Sequence, residues 1–261
     1  MATADDIETR FRTAGHFTEA LKQGLFTLFC QPIVPVESGA ADYKHLEIFV
    51  RFREEEDKLL PPGMFFPVLE ANHLTPLLDR WVVREVLRWT GERRGSQPNW
   101  HVPRFHVNLA DDTVLDQNFA GHVRDQLNAV RLPPNRLAIE LTAQQVDKFS
   151  AAARRTIASL KALGCPAAVA DFSGTETTAK SYRDAGVQMV KLDGAIVRNV
   201  HKDQPALSKL LALNGCCQKL GMQTIAEFVE QAETLPVLRK VGVNFAQGFG
   251  IAEPKPLSLI G

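Results

Sequence analysis

The sequence predicts an α/β protein of the (β/α)8 TIM-like barrel class. Three observations carry this. Strand-length apolar runs alternate with amphipathic helical stretches; the interior runs are near-continuously apolar, as strands buried on both faces are; and 261 residues suit a barrel that takes about 250. No Ser/Gly-rich linker, repeat or low-complexity tract divides the chain. One domain is therefore expected over 25–261, with 1–24 a linker or helix leading into it.

The elements follow in order. Ile7, Phe11, Ala14, Phe17, Leu21 and Leu25 fall near one helical face, which gives an opening helix over 5–24. LFTLFCQPIVPV is a strand stopped by Pro32 and Pro35, and HLEIFVRF is a second strand. PPGMFFPVLEANHL enters a helix through prolines, and LLDRWVVREVLRW is an amphipathic helix that Gly91 and Gly95 should end. RFHVNLA, RLAIELT, CPAAVADF, VQMVKLD, MQTIAEF and VNFAQGF then read as the remaining strands. Between them DQNFAGHVRDQLNAV, AAARRTIASLKAL, a short stretch over 179–185, DQPALSKLLALNGCCQKL and QAETLPVLRKV read as helices, three of them closed by Gly164, Gly221 and Gly242.

Bulk composition excludes several classes. Lys plus Arg and Asp plus Glu both number 30, so nothing favours a nucleic-acid polymer or a membrane surface, and any anion site must be local. No apolar run approaches the roughly 20 residues of a membrane span, and MATADDIETRFR is too acidic and polar for a signal peptide. Cys30, Cys165, Cys216 and Cys217 match no zinc pattern and read as reduced thiols, and the seven histidines lack metal-ligand spacing. A cytoplasmic protein is expected.

In such a barrel the functional groups stand at the C-terminal ends of the strands. Glu47 and Arg51 lie on the second strand, and Asn108, Glu140 and Asp171 end the next three. Lys191 and Asp193 end the sixth, Glu227 ends the seventh with Glu230 close behind, and Gln247 ends the eighth. Any one of these alone is more often a solvated loop residue. Carboxylates and amides at consecutive strand ends are the oxygen ligands that hard divalent cations prefer, with a lysine able to hold an activated water. That composition is similar to a divalent-metal phosphoester site.

The motifs CQPIVPV, EIFVRF, VNLA, IELT, ADFSG, KLD, AEFVE and QGFGIAEP occur in this order. Together they resemble the EAL-domain family, the cyclic-di-GMP phosphodiesterases of bacterial signalling, from about Gly24 to Pro256. The resemblance implies that Glu47, Asn108, Glu140 and Asp171 match metal ligands of active members. Lys191 then matches the lysine that holds the attacking water, Glu227 and Glu230 the downstream acids, and Gln247 the amide near the substrate.

Three departures separate this chain from active members. The name motif reads Glu47-Ile48-Phe49, the paired acids have become Ala170-Asp171, and the acid after the fourth-strand threonine is Ala143. Two-metal hydrolysis needs cations about 3.5–4 Å apart, hence a shared carboxylate, and Ala170 offers a methyl group there. Glu176 is the one nearby acid that could supply a substitute ligand. The expectation is a site with no catalytic residues and no bound metal, in which Glu47, Asn108, Glu140, Asp171, Lys191 and Glu227 are vestigial.

Binding is expected to survive. The ligand is cyclic-di-GMP, held by Gln31, Phe49, Val50, Arg51, Asp79, Asn108, Glu227, Phe228, Gln247 and Pro254, with no cofactor required. Arg51 suits a phosphate, Asp79 the N–H edge of a guanine, and Phe228 a stacked base. The plain alternatives are core packing for Phe228 and a surface pair with Arg80 or Arg84 for Asp79. The pattern is most similar to the FimX-like receptors of type IV pilus and twitching-motility regulation. That likeness implies upstream GGDEF and sensor modules, a PilZ-domain adaptor as partner, and recruitment to a bacterial cell pole. A residual metal-dependent phosphodiesterase and a nucleotide-free scaffold remain as alternatives.

Overall fold

A computed structural model describes residues 14–38, 43–53 and 59–260. Helix α1 (Ala14–Lys22) leads through a turn into β1 (Phe26–Pro32), which continues almost directly as β2 (Val34–Pro35). Then come β3 (His45–Arg53), β4 (Leu59–Leu60), α2 (Pro62–Ala71) and α3 (Thr75–Ser96). The alternating part comprises β5 (Arg104–Asn108), α4 (Asp111–Leu115), α5 (Phe119–Val130), β6 (Leu137–Thr142), α6 (Ala143–Lys148) and α7 (Ser150–Leu163). It continues with β7 (Ala167–Phe172), α8 (Glu176–Ala185), β8 (Met189–Leu192), α9 (Gly194–Val197), α10 (Gln204–Lys219), β9 (Gln223–Ala226), α11 (Thr234–Val241), β10 (Phe245–Ala246) and β11 (Lys255–Pro256).

The strands form one sheet in the order β11-β1-β3-β5-β6-β7-β8-β9-β10-β2, with β4 beside β3. Because β2 is the continuation of β1, the sheet closes on itself and makes the expected barrel. Strands β3 to β10 along this path are parallel, but β1 runs antiparallel to β3. That departs from the expected (β/α)8 class, in which every strand is parallel. The connection from Pro35 to His45 is shorter than the dozen or so residues a parallel crossover needs.

Two cores result. Aliphatic and aromatic side chains fill the space between sheet and helices, and a small plug of Ile33, Ala138, Ala168, Met189 and Ile225 fills the floor of the barrel. Helix α1 joins the first core: Phe17 is fully buried and its ring meets Phe26 edge-on at 5.4 Å. Ile7 and Phe11 of the expected opening helix lie outside the described residues.

Helix α3 does not end at Gly91 or Gly95 but runs through both to Ser96. Gly91 lies where α3 crosses α5: a β-carbon there would stand 3.1 Å from Val130 Cγ1, so its missing side chain serves close packing. The stop comes just ahead of Pro98, whose ring disfavours helical backbone at Gln97. Gly164 and Gly242 do close their helices, both in left-handed backbone at φ 91° and 80°. All four cysteines are buried and unpaired, and among the described residues no helix is long and apolar enough to cross a membrane.

Candidate functional site

Side chains of a strand alternate between its two faces, so the barrel interior is built in layers two residues apart. Above the floor residues Ala138, Ala168, Met189 and Ile225 stand Glu140, Ala170, Lys191 and Glu227. Above His45, His106 and Phe245 stand Glu47, Asn108 and Gln247. On the antiparallel β1 the count reverses, and Gln31 rather than a later residue lies above Ile33. This layer is the polar base of a cavity of about 430 Å³ at the C-terminal end of the parallel strands.

Lys191 organises the base. Its ammonium, 1% exposed, lies 2.7 Å from Glu47 Oε2, 2.9 Å from Glu140 Oε2 and 3.0 Å from Glu227 Oε1. Asn108 Nδ2 donates to Glu47 Oε1 at 2.8 Å, and Gln247 Nε2 donates to Glu47 Oε2 at 2.7 Å and Gln31 Oε1 at 3.0 Å. Beneath them His106 Nδ1 pairs with Glu140 Oε1 at 2.7 Å, and its Nε2 meets His45 Nδ1 at 3.1 Å.

These contacts divide the carboxyl groups. Burial opposes ionisation of Glu140, but Lys191 and His106 outweigh it and hold its pKa down to about 2. Burial raises Glu227 to about 7, with Glu47 and Glu140 adding repulsion that Lys191 only partly offsets. Burial alone would lower Lys191, yet Glu140, Glu227 and Glu47 together hold its charge well above the usual lysine range. Glu140 is sealed below the cavity, whereas Glu227 lines it and its buried Oε2 has no protein donor.

The end of β7 breaks the alternation. The register slips between Val169 and Phe172, and Asp171 takes left-handed backbone at φ 57°, so Ala170 and Asp171 both line the cavity. Asp171 is exposed; burial of its carboxyl and repulsion by Asp193 raise its pKa, with Lys191 opposing. Ala143 opens α6 next to a capping box between Thr142 and Gln145 and presents only a methyl group. Glu176 is exposed at the start of α8 and does not line the cavity, so it is not brought to the site.

This donor set does not fit a pair of divalent cations. Both oxygens of Glu47 accept from protein donors, Glu140 accepts from His106 at Oε1 and faces the Lys191 ammonium at Oε2, and Ala170 contributes no oxygen. Among the described residues no three His, Cys, Asp or Glu side chains converge as a metal cage.

The rim is aromatic and cationic. The half-buried Arg51 lies over the rings of Phe29 and Phe49, 5.4 and 5.8 Å from their centroids, and has no carboxylate partner among the described residues. Phe228, 45% exposed, and Pro254 border the same cavity, as do Phe249 and Arg198. A second cavity of about 390 Å³ shares Phe49 and Asn108 with the first and is lined by Val50 and Asp79. The structure therefore puts Val50 and Asp79 next door rather than in the central cavity. Asp79 is buried, with Oδ2 accepting the Ala110 N–H at 2.8 Å, and burial raises its pKa to about 7. Neither Arg80 nor Arg84 pairs with it: they take Asp116 and Glu85.

Sequence reading missed Phe29, His106, Arg198 and Phe249. A period-two count from Gln31 reaches Phe29, and one from Asn108 reaches His106, so those two carried a usable signal. Arg198 and Phe249 sit beyond strand ends, where no periodicity marks them.

A closed barrel whose mouth holds a buried lysine–carboxylate cluster under an aromatic and arginine rim is a ligand- or substrate-binding domain of the (β/α)8 class. The chain belongs to the EAL domain family, whose model matches residues 14–254. It is 26% identical over 252 residues to the cyclic di-GMP phosphodiesterase PdeF of Escherichia coli K12, covering 97% of this chain and 33% of that protein. The chain thus spans about a third of the curated relatives it matches. The fold is similar to the Xanthomonas citri FimX EAL domain solved with c-diGMP, at TM-score 0.86 and 24% identity over 99% of both chains. It is also similar to the Pseudomonas aeruginosa FimX EAL domain bound to c-di-GMP, at TM-score 0.82 and 23% identity over 92% and 94% of the chains.

Proposed function

We propose that this EAL domain binds cyclic-di-GMP without cleaving it and passes the occupied state on by protein contact. One observation carries the reading: Ala170 puts a methyl group in the cavity base, while Glu47 and Glu140 are engaged by Lys191, His106, Asn108 and Gln247. The methyl group at 170 supports the loss of a two-cation site, and the rim supports a retained nucleotide site. Arg51, whose Nη1 donates to Val50 O at 2.9 Å and which has no carboxylate partner among the described residues, offers its guanidinium to a phosphate, and Phe49 and Phe228 offer faces to bases. Glu227, with a pKa of about 7, donates to or accepts from the ligand near neutral pH. The solved FimX relatives with bound c-di-GMP support the ligand, and a base held at about 1–3 kcal/mol of stacking makes the rim useful without chemistry.

In this reading the domain serves a longer bacterial protein with GGDEF and sensor modules, acts in the cytoplasm at a cell pole, and engages a PilZ-domain adaptor in type IV pilus or twitching control. Asp79 and Val50 hold the second base in the neighbouring cavity. Titration calorimetry with EDTA present tests the ligand: saturable binding is expected, and absence of heat at tens of micromolar ligand refutes the reading. Residual hydrolysis is favoured by one feature, the exposed Asp171 carboxylate and the donor-free Oε2 of Glu227 in the cavity that Asn108 also lines. Appearance of pGpG with magnesium or manganese would establish it.

A further inference from the structure

Phe228 is an exposed aromatic ring on a strained backbone. Its φ of 55° lies in the left-handed region that bulky residues avoid, and the ring is 45% exposed over the cavity. Core packing does not account for such a residue. The adjoining backbone is pinned: Val229 N–H donates to Gln247 O, and Gly250 N–H donates to Val229 O, both at 2.9 Å. These bonds fix where the chain passes but not where the ring points.

The ring is held by the one-turn helix α9. A β-carbon at Gly194 would lie 2.1 Å from Phe228 Cδ2 and 2.9 Å from Cε2 and Cγ, so the ring rests directly against the glycine backbone. Four residues on, on the same helical face, Arg198 brings its guanidinium to 4.5 Å from the ring centroid. Glu230 stands 3.7 Å from Arg198 Nε on the other side of the loop. Seat and clamp are therefore one turn of helix apart, and the space between α9 and the 227–230 loop has room for one side chain only.

We infer that Gly194 is a positioning residue for ligand recognition: by having no side chain it seats Phe228 over the cavity, with Arg198 as the clamp. Its value for the ligand rests on the nucleotide reading above; the seat itself does not. Gly194 is not in left-handed backbone and begins a helix, so alanine is compatible with its own conformation. Any side chain at 194 must swing the Phe228 ring away, and the two positions are mutually exclusive.

The experiment compares the full chain with its Gly194→Ala, Phe228→Ala and doubly substituted forms. In the nucleotide-free protein, NMR of the Phe228 ring protons and the Arg198 Hε should show the contact in the parent and its loss in Gly194→Ala. With cyclic-di-GMP, Gly194→Ala and Phe228→Ala should each weaken binding by about tenfold or more, and the double variant should be no worse than either. Unchanged Phe228 signals in Gly194→Ala, or losses that multiply in the double variant, overturn the inference. A parent that binds no nucleotide refutes the receptor reading, and the ring signals then decide the seat alone. If Gly194→Ala does not fold, a folded double variant supports the seat, because removing the ring removes the clash; failure of both overturns it.

Discussion

Glu227→Gln replaces the one carboxyl group in the Lys191 cluster that burial holds above its ordinary range. Its pKa rises from 4.5 to about 7, so between those values the folded protein binds more protons than the unfolded chain. Stability therefore falls as pH rises through that window and stays low above it. The span is worth about 3 kcal/mol. Glutamine is neutral at every pH and escapes this loss. Urea unfolding of parent and variant at pH 5 and pH 8 is the assay: relative to the parent, Glu227→Gln should gain about 2–3 kcal/mol between the two. Glu140 supplies the opposite sign, since its pKa lies at about 2. Its stabilisation is present above pH 4.5 and lost as pH falls toward 2, so Glu140→Gln should cost stability at neutral pH. A Glu227→Gln difference that does not change with pH refutes the reasoning, because the carboxyl would then titrate alike in both states.

Lys191→Met strips the charge from between three carboxylates and should cost about 3–5 kcal/mol at pH 7, with a smaller loss in acid, measured by the same unfolding. Arg51→Ala should weaken cyclic-di-GMP binding by about 1.5–3 kcal/mol in calorimetry while leaving thermal stability nearly unchanged, since Arg51 has no carboxylate partner among the described residues. Ala170→Asp should not produce pGpG in a chromatographic assay with magnesium or manganese, because Ala143 and the engaged Glu47 and Glu140 remain. Robust turnover in that single variant would contradict the account of the missing chemistry.

The barrel was legible because strand and helix periodicities alternate and are hard to confuse over this many elements. The direction of β1 was not, because alternation marks a strand without giving its sense. The polar base of the cavity was legible for a related reason: Asn108, Lys191, Glu227 and Gln247 end apolar runs, and strand ends converge in a barrel. Asp79 sits inside a helix whose own pattern says nothing about a cavity, and only the family resemblance pointed to it. His106 carried no metal-ligand spacing because its partner Glu140 belongs to the neighbouring strand, brought alongside by parallel pairing. Arg198 drew no reading from the sequence; its contact with Phe228 joins the end of α9 to the loop after β9, with no shared period. Gly91 misled the helix boundary because a glycine that allows close packing looks, in sequence, like one that ends a helix.

The reversed first strand changes where the chain meets the barrel. In an all-parallel barrel the first strand starts at the floor, a full barrel height away from the mouth. Here β1 starts at the mouth, where Thr27 pairs with Arg51 and Leu25 O accepts the Arg53 N–H at 2.6 Å. Phe17 of α1 rests on Phe26, whose ring in turn meets Phe52, Phe65 and Trp81. The entry helix and the cavity-facing Arg51 thus meet the same end of the β1–β3 pair from opposite faces, the helix through Phe26 and Phe52 and the arginine through Phe29 and Phe49. Two adjacent rungs of β-ladder, Phe26 with Phe52 and Thr27 with Arg51, are all that lies between the helix seat and the cavity mouth.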